Sequence, residues 1–187
     1  MPVYLEAVER LAARLKGEVI VRAPGTGPFS LASLDMISPD MYREWVYPYE
    51  VRFFSEINAY RPEKLCGSLL HICGDTTKIL DLMADTGATI IEIDSKVDMA
   101  EAARIVNGRA CLMGNLEPSG VLLQGSPEQV EAASRRVIAD TGGRGLILGS
   151  GCEVPPATPL ENIRAMIRSA RSEARHPGAR PMALSLS

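Results

Sequence analysis

Short, continuous apolar runs alternate along this chain with longer stretches in which apolar and polar residues recur at helical spacing. The short runs, at 18–22, 67–72, 88–94, 109–114 and 145–149, predict five strands. Leu146-Ile147-Leu148 and Thr89-Ile90-Ile91 lack polar alternation, which suits parallel strands buried on both faces. The longer stretches predict helices over 3–16, 39–60, 76–86, 99–107, 127–140 and 159–172, with a further short helix after Pro28. Ser126-Pro127-Glu128-Gln129 and Thr158-Pro159-Leu160-Glu161 both read as capping boxes: a hydroxyl caps the helix, proline occupies its first turn, and Gln or Glu reaches back. Within 39–60, Met41, Trp45, Tyr49, Phe53 and Ile57 recur every four residues with Val46 beside them, and predict a stripe facing the core.

Strands alternating with helices imply an α/β fold with right-handed crossovers, either an open doubly wound sheet or a piece of a barrel. Residues 1–175 are expected to form a single domain. The stretch 176–187, with two prolines and small residues, is expected to be a loosely held tail. No repeat is evident. Ala23-Pro24-Gly25-Thr26-Gly27-Pro28 has the wrong spacing for a dinucleotide-binding turn and reads as a strand-to-helix loop.

Composition narrows the function. With 187 residues, 46% of them apolar, the chain can build a sizeable core. A net charge of −3 and a pI near 5.5 argue against nucleic acid as a partner, because phosphate binding wants a basic face. No apolar run reaches the roughly 18 residues of a membrane span. The start, Met1-Pro2-Val3-Tyr4-Leu5-Glu6, lacks the basic and apolar regions of a signal peptide, so a cytoplasmic protein is expected. There Cys66, Cys73, Cys111 and Cys152 should be reduced thiols or metal ligands.

Two strand-end segments carry the chemistry. His71-Ile72-Cys73-Gly74 offers an imidazole and a thiolate, and Gly149-Ser150-Gly151-Cys152-Glu153 offers a second thiolate. Catalytic zinc sites usually take three protein ligands and leave a fourth position open. This set therefore points to activation of a thiol or water. Taken singly, His71 reads equally as a core histidine and Cys73 as a small buried hydrophobe. Cys66 and Cys111 read as packed thiols, Glu117 as a turn residue before its proline, and His176 as an exposed tail residue.

The same segments, with Ala23–Phe29, Ser38-Pro39-Asp40-Met41-Tyr42, Met113-Gly114-Asn115-Leu116-Glu117-Pro118 and the continuation to Pro155, carry a resemblance that extends over about 19–171. They resemble the uroporphyrinogen decarboxylase superfamily, and within it the corrinoid-dependent methyltransferases. The resemblance implies a (β/α)₈ TIM-type barrel with its active site at the C-terminal strand ends, and His71, Cys73 and Cys152 as zinc ligands. It implies a methylated corrinoid on a partner protein as methyl donor, and a small thiol as acceptor. At such a barrel mouth Asp94 and Asn115 would bind substrate or orient the ligand histidine, unless they serve as loop caps. Glu153 would be an outer-shell or auxiliary ligand, or else a solvated acid. About five strands correspond to the later part of the barrel, and a complete barrel takes about 250 residues. A partial sheet leaves edges and an apolar face, so a homo-oligomer, or a second chain supplying the missing barrel part, is expected. The competing readings are a metal-free tetrapyrrole decarboxylase and a truncated, non-catalytic metal-binding subunit.

Overall fold

A computed structural model describes residues 37–60 and 67–173. The expected strand at 18–22, the helix at 3–16, Cys66 and the tail lie outside these residues. The other four expected strands are present: β1 (Leu69–His71), β2 (Ile90–Glu92), β3 (Cys111–Leu116) and β4 (Leu146–Ser150). They form one parallel sheet in the order β1-β2-β3-β4. Helices α1 (Pro39–Trp45) and α2 (Tyr47–Tyr60) precede the sheet. Helices α3 (Leu80–Asp85), α4 (Met99–Val106), α5 (Pro127–Asp140) and α6 (Leu160–Glu173) each follow a strand. A π-helical turn, Pro118–Leu123, stands between β3 and α5.

Because side chains alternate along a strand, the pairing register sorts the sheet into two faces. Leu70, Ile91 and Leu112 align across the strands and are buried in one apolar cluster with Leu80, Met83, Ala102, Val106 and Val130 from the helices. On the other face His71, Glu92, Met113 and Ile147 stand in one row, with Leu69, Ile90 and Cys111 in the row below. Here the apolar members are only half-buried, and Ile147 is 42% exposed. A parallel sheet normally has both faces covered. Among the described residues, this second face is partly open.

The expected single helix over 39–60 is instead two. Pro48 has no N–H to offer the carbonyl one turn back, and its ring clashes there, so the helix ends at Trp45 and restarts with proline in the first turn. The Tyr42 hydroxyl donates to the Glu50 carboxylate across the break, at 2.5 Å. Burial pushes the Glu50 carboxyl up, and burial together with Glu50 pushes the Tyr42 phenol up. The expected core stripe is also corrected. Tyr42, Val46 and Phe54 are buried, whereas Trp45, Tyr49 and Phe53 are at least half exposed. At 3.6 residues per turn, a repeat of four drifts about 40° per step, so five such positions wrap around the helix instead of holding one face.

One of the two capping boxes forms as read. The Ser126 hydroxyl accepts from the Gln129 N–H at 3.3 Å, and the Gln129 side chain accepts from the Ser126 N–H at 2.7 Å. Ser126→Ala should cost about 1 kcal/mol, read as a lower denaturant midpoint at unchanged slope. The other does not form. α6 begins at Leu160, one residue too late for a Thr158 cap, and the buried Thr158 hydroxyl has no hydrogen-bond partner among the described residues. Glu161 turns to Arg164 instead, at 2.5 Å.

Candidate metal centre

All four strands run parallel, so their C-terminal ends share one edge of the sheet. His71 is the last residue of β1, Glu92 the last of β2, and Cys152 follows β4 by two residues. In a flat sheet β1 and β4 would stand about 14 Å apart, three strand spacings. Yet the Cys73 and Cys152 sulfurs are 3.9 Å apart, although 79 residues separate them in sequence. The sheet is therefore curled, with the His71 row on its concave side. That curl brings remote strand ends to one point.

His71 Nε2 lies 3.3 Å from Cys73 Sγ, and the ligand atoms of His71, Cys73 and Cys152 all fall within 4.8 Å of one another. Two thiolates on a tetrahedral ion at about 2.3 Å stand about 3.8 Å apart, which the sulfur pair matches. The opposite ring nitrogen, Nδ1, lies 3.1 Å from the Glu92 carbonyl oxygen. An Nδ1–H donated there leaves the Nε2 lone pair facing the sulfurs. Burial pushes the Cys73 thiol up, and the negative charges of Cys152, Asp94 and Glu92 add to the effect. A thiolate is thus disfavoured here until a cation arrives. The donor set fits zinc: an imidazole and two thiolates fill three of the four positions of a tetrahedral ion. No fourth His, Cys, Asp or Glu joins this cluster among the described residues.

The other expected site residues stand around the trio. Asp94, 8% exposed, accepts from the Gly74 N–H at 2.9 Å and from the Lys96 N–H at 3.0 Å, which ties the turn after Cys73 to the loop after β2. Asn115, equally buried, donates to the carbonyls of Val97 at 2.8 Å and Asp94 at 3.3 Å. Both spend these bonds on backbone groups, holding the loop that carries Asp94. Glu153 is exposed beside Cys152 and outside the ligand cluster. Glu117 caps the π-helical turn, accepting from the Ser119 N–H at 2.9 Å. Cys111 lies deeper on the concave face, and its thiol is pushed up by burial.

One residue of the site was not singled out from sequence. Glu92 sits beside His71 in the ligand row, and its signal was available: a charged residue inside the apolar run Ile90-Ile91-Glu92-Ile93. Gly151 is the glycine that matters in Gly-Ser-Gly-Cys, since a Cβ there would overlap the Ser95 backbone. Gly149 has ordinary clearance.

Residues 33–173 match the family described as uroporphyrinogen decarboxylase (URO-D). The chain belongs to the uroporphyrinogen decarboxylase family. It is 36% identical over 141 residues to the methylcobamide:CoM methyltransferase MtbA of Methanosarcina mazei, covering 75% of this chain and 39% of that protein. It is also 33% identical over 135 residues to the uroporphyrinogen decarboxylase of Trichodesmium erythraeum, covering 72% of this chain and 37% of that one. A solved structure, a methyltransferase from Methanosarcina mazei, superposes with a TM-score of 0.67 at 29% identity, over 76% of this chain and 40% of the other. The four-stranded parallel sheet with its helices is thus a partial TIM-type barrel, and the chain spans about two fifths of its relatives' length. No helix among the described residues is long and apolar enough to cross a membrane.

Proposed function

We propose that this chain forms the metal-holding part of a zinc-dependent methyltransferase, which moves a methyl group from a methylated corrinoid on a partner protein to a small thiol. The convergence of His71, Cys73 and Cys152 at the curled strand ends carries this reading, because the alternative metal-free decarboxylase leaves the trio without a use. When bound, zinc supplies stabilisation of an entering thiol as its thiolate, and the corrinoid supplies the methyl group. His71 presents Nε2, and Cys73 and Cys152 supply two anionic sulfurs. Asp94 anchors the Gly74 turn and so sets where Cys73 points, while Asn115 holds the Asp94 loop in place. Glu153, exposed beside Cys152, would meet the acceptor or the carrier protein.

Calorimetry with 2-mercaptoethanol, run in buffers of different ionisation enthalpy, tests thiol activation. Binding to the zinc-loaded chain well below the thiol's own pKa should release a proton. Binding without proton release would rule the reading out.

The half-open concave face supports a second feature of this proposal, association with another copy or with a chain carrying the rest of the barrel. Burial of apolar area contributes roughly 25 cal/mol per Å². Sedimentation at micromolar concentration is expected to show a species larger than 20.2 kDa. A well-folded monomer with sharp thermal unfolding would show that the chain closes its own core.

A further inference from the structure

We infer that Glu92 is a positioning residue for the metal centre: its carboxylate faces the Nδ1 edge of His71 and holds the imidazole with Nε2 turned toward Cys73 and Cys152. The inference rests on the zinc reading above and adds a residue to it. His71 and Glu92 are direct partners across β1 and β2, each the last residue of its strand. Their side chains emerge on the same concave face. Glu92 Oε2 lies 3.8 Å from His71 Nδ1, while the Glu92 carbonyl oxygen lies 3.1 Å from the same nitrogen. The carbonyl stands at hydrogen-bond distance from the ring nitrogen, and the carboxylate, beyond that distance, adds its charge on the same side.

Burial makes the carboxylate's presence informative. Glu92 is 8% exposed in a row whose other members, Met113 and Ile147, are apolar and more open to solvent. A carboxylate in this row is costly to bury, and here its charge stands beside the imidazole. Here the charge favours the Nδ1–H tautomer, raises the donor strength of Nε2, and balances a cation held on the ring's far side. Asp94 accepts from the Gly74 and Lys96 N–H groups, which fixes its loop beside the same site.

Glu92→Gln keeps the shape and the backbone carbonyl and removes only the charge, so it separates the carboxylate from the carbonyl. Zinc affinity, measured by competition with a chromophoric chelator, should fall about 10- to 100-fold. The visible bands of the cobalt(II)-substituted protein should shift, and unfolding of the metal-free protein should be unchanged or slightly raised. Unchanged affinity and unchanged cobalt bands would overturn the inference, since the carbonyl would then suffice. A fall in affinity accompanied by loss of the metal-free fold would also overturn it, because the role would be structural. Nitrogen-15 spectra of the unaltered protein give an independent reading, as the chain has only two histidines. A zinc-loaded His71 protonated at Nδ1 is expected, and one protonated at Nε2 would refute the geometry. Failure of the zinc reading is distinct: the unaltered chain would then bind neither zinc nor cobalt.

Discussion

Cys152→Ala protein is expected to purify without zinc, whereas the unaltered chain should carry about one ion per protomer. The structure explains why one thiol matters so much. The three ligand atoms arrive from two segments far apart in sequence, and no other His, Cys, Asp or Glu among the described residues joins their cluster. Removing one leaves two ligands, too few for a tetrahedral ion that already reserves a position for a reactant. Cys73→Ala and His71→Ala should act in the same direction. Cys111→Ala should retain the metal, because Cys111 lies below the His71 row and outside the cluster. Elemental analysis of protein purified without chelator gives the result. Full zinc content in Cys152→Ala, or its loss in Cys111→Ala, would show that the wrong thiols had been assigned.

The pH dependence follows from the same chemistry. Burial holds the Cys73 thiol above its ordinary range, so the metal-free site is protonated there at neutral pH. Zinc must displace that proton, and affinity should drop about tenfold per pH unit for each proton displaced as pH falls. For the metal-free fold the sign is opposite to that of a salt-bridged acid. A raised thiol pKa contributes stability that is present below the unfolded-state value and is lost as pH rises through the folded one.

Gly151→Ala should damage the fold and the site together. A Cβ at Gly151 would overlap the Ser95 backbone nitrogen and stand 3.0 Å from the Ser95 Cα. Backbone cannot swing aside as a flexible side chain does, so either the exit of β4 or the loop after β2 must move. The first carries Cys152 and the second carries Asp94, which anchors the turn after Cys73. A loss of about 1–3 kcal/mol is expected from overpacking, with zinc affinity reduced at least tenfold. Gly149→Ala is the control: its Cβ would meet only the Met113 side-chain tip at 3.9 Å and the Gly114 nitrogen at 4.0 Å. Denaturant unfolding and chelator competition on both variants decide the matter. Wild-type affinity in Gly151→Ala would mean that the two loops do not pack as described.

Sequence alone determined whatever depends on neighbours within a turn or a strand. The apolar runs at 67–72, 88–94, 109–114 and 145–149 each contain an observed strand, and Ser126 with Gln129 marks the start of α5. That His71, Cys73 and Cys152 carry soft donor groups at strand ends was likewise legible, because donor chemistry belongs to the residue type. Some local signals were present but misread. Pro48 breaks the long helix, the repeat of four from Met41 wraps instead of facing the core, and α6 starts beyond the reach of Thr158.

Tertiary structure alone decided the distances. Whether Cys73 meets Cys152 depends on the curl of four strands, a sum of small twists that no short stretch encodes. The placement of Glu92 against His71 depends on the register between β1 and β2, and a slip of one residue would turn it to the other face. Asp94 and Asn115 read from sequence either as mouth-facing groups or as loop caps, and only the tertiary structure brings beside them the backbone groups they bond. The sequence names the donors, and the packing of separate loops decides which of them remain available for chemistry.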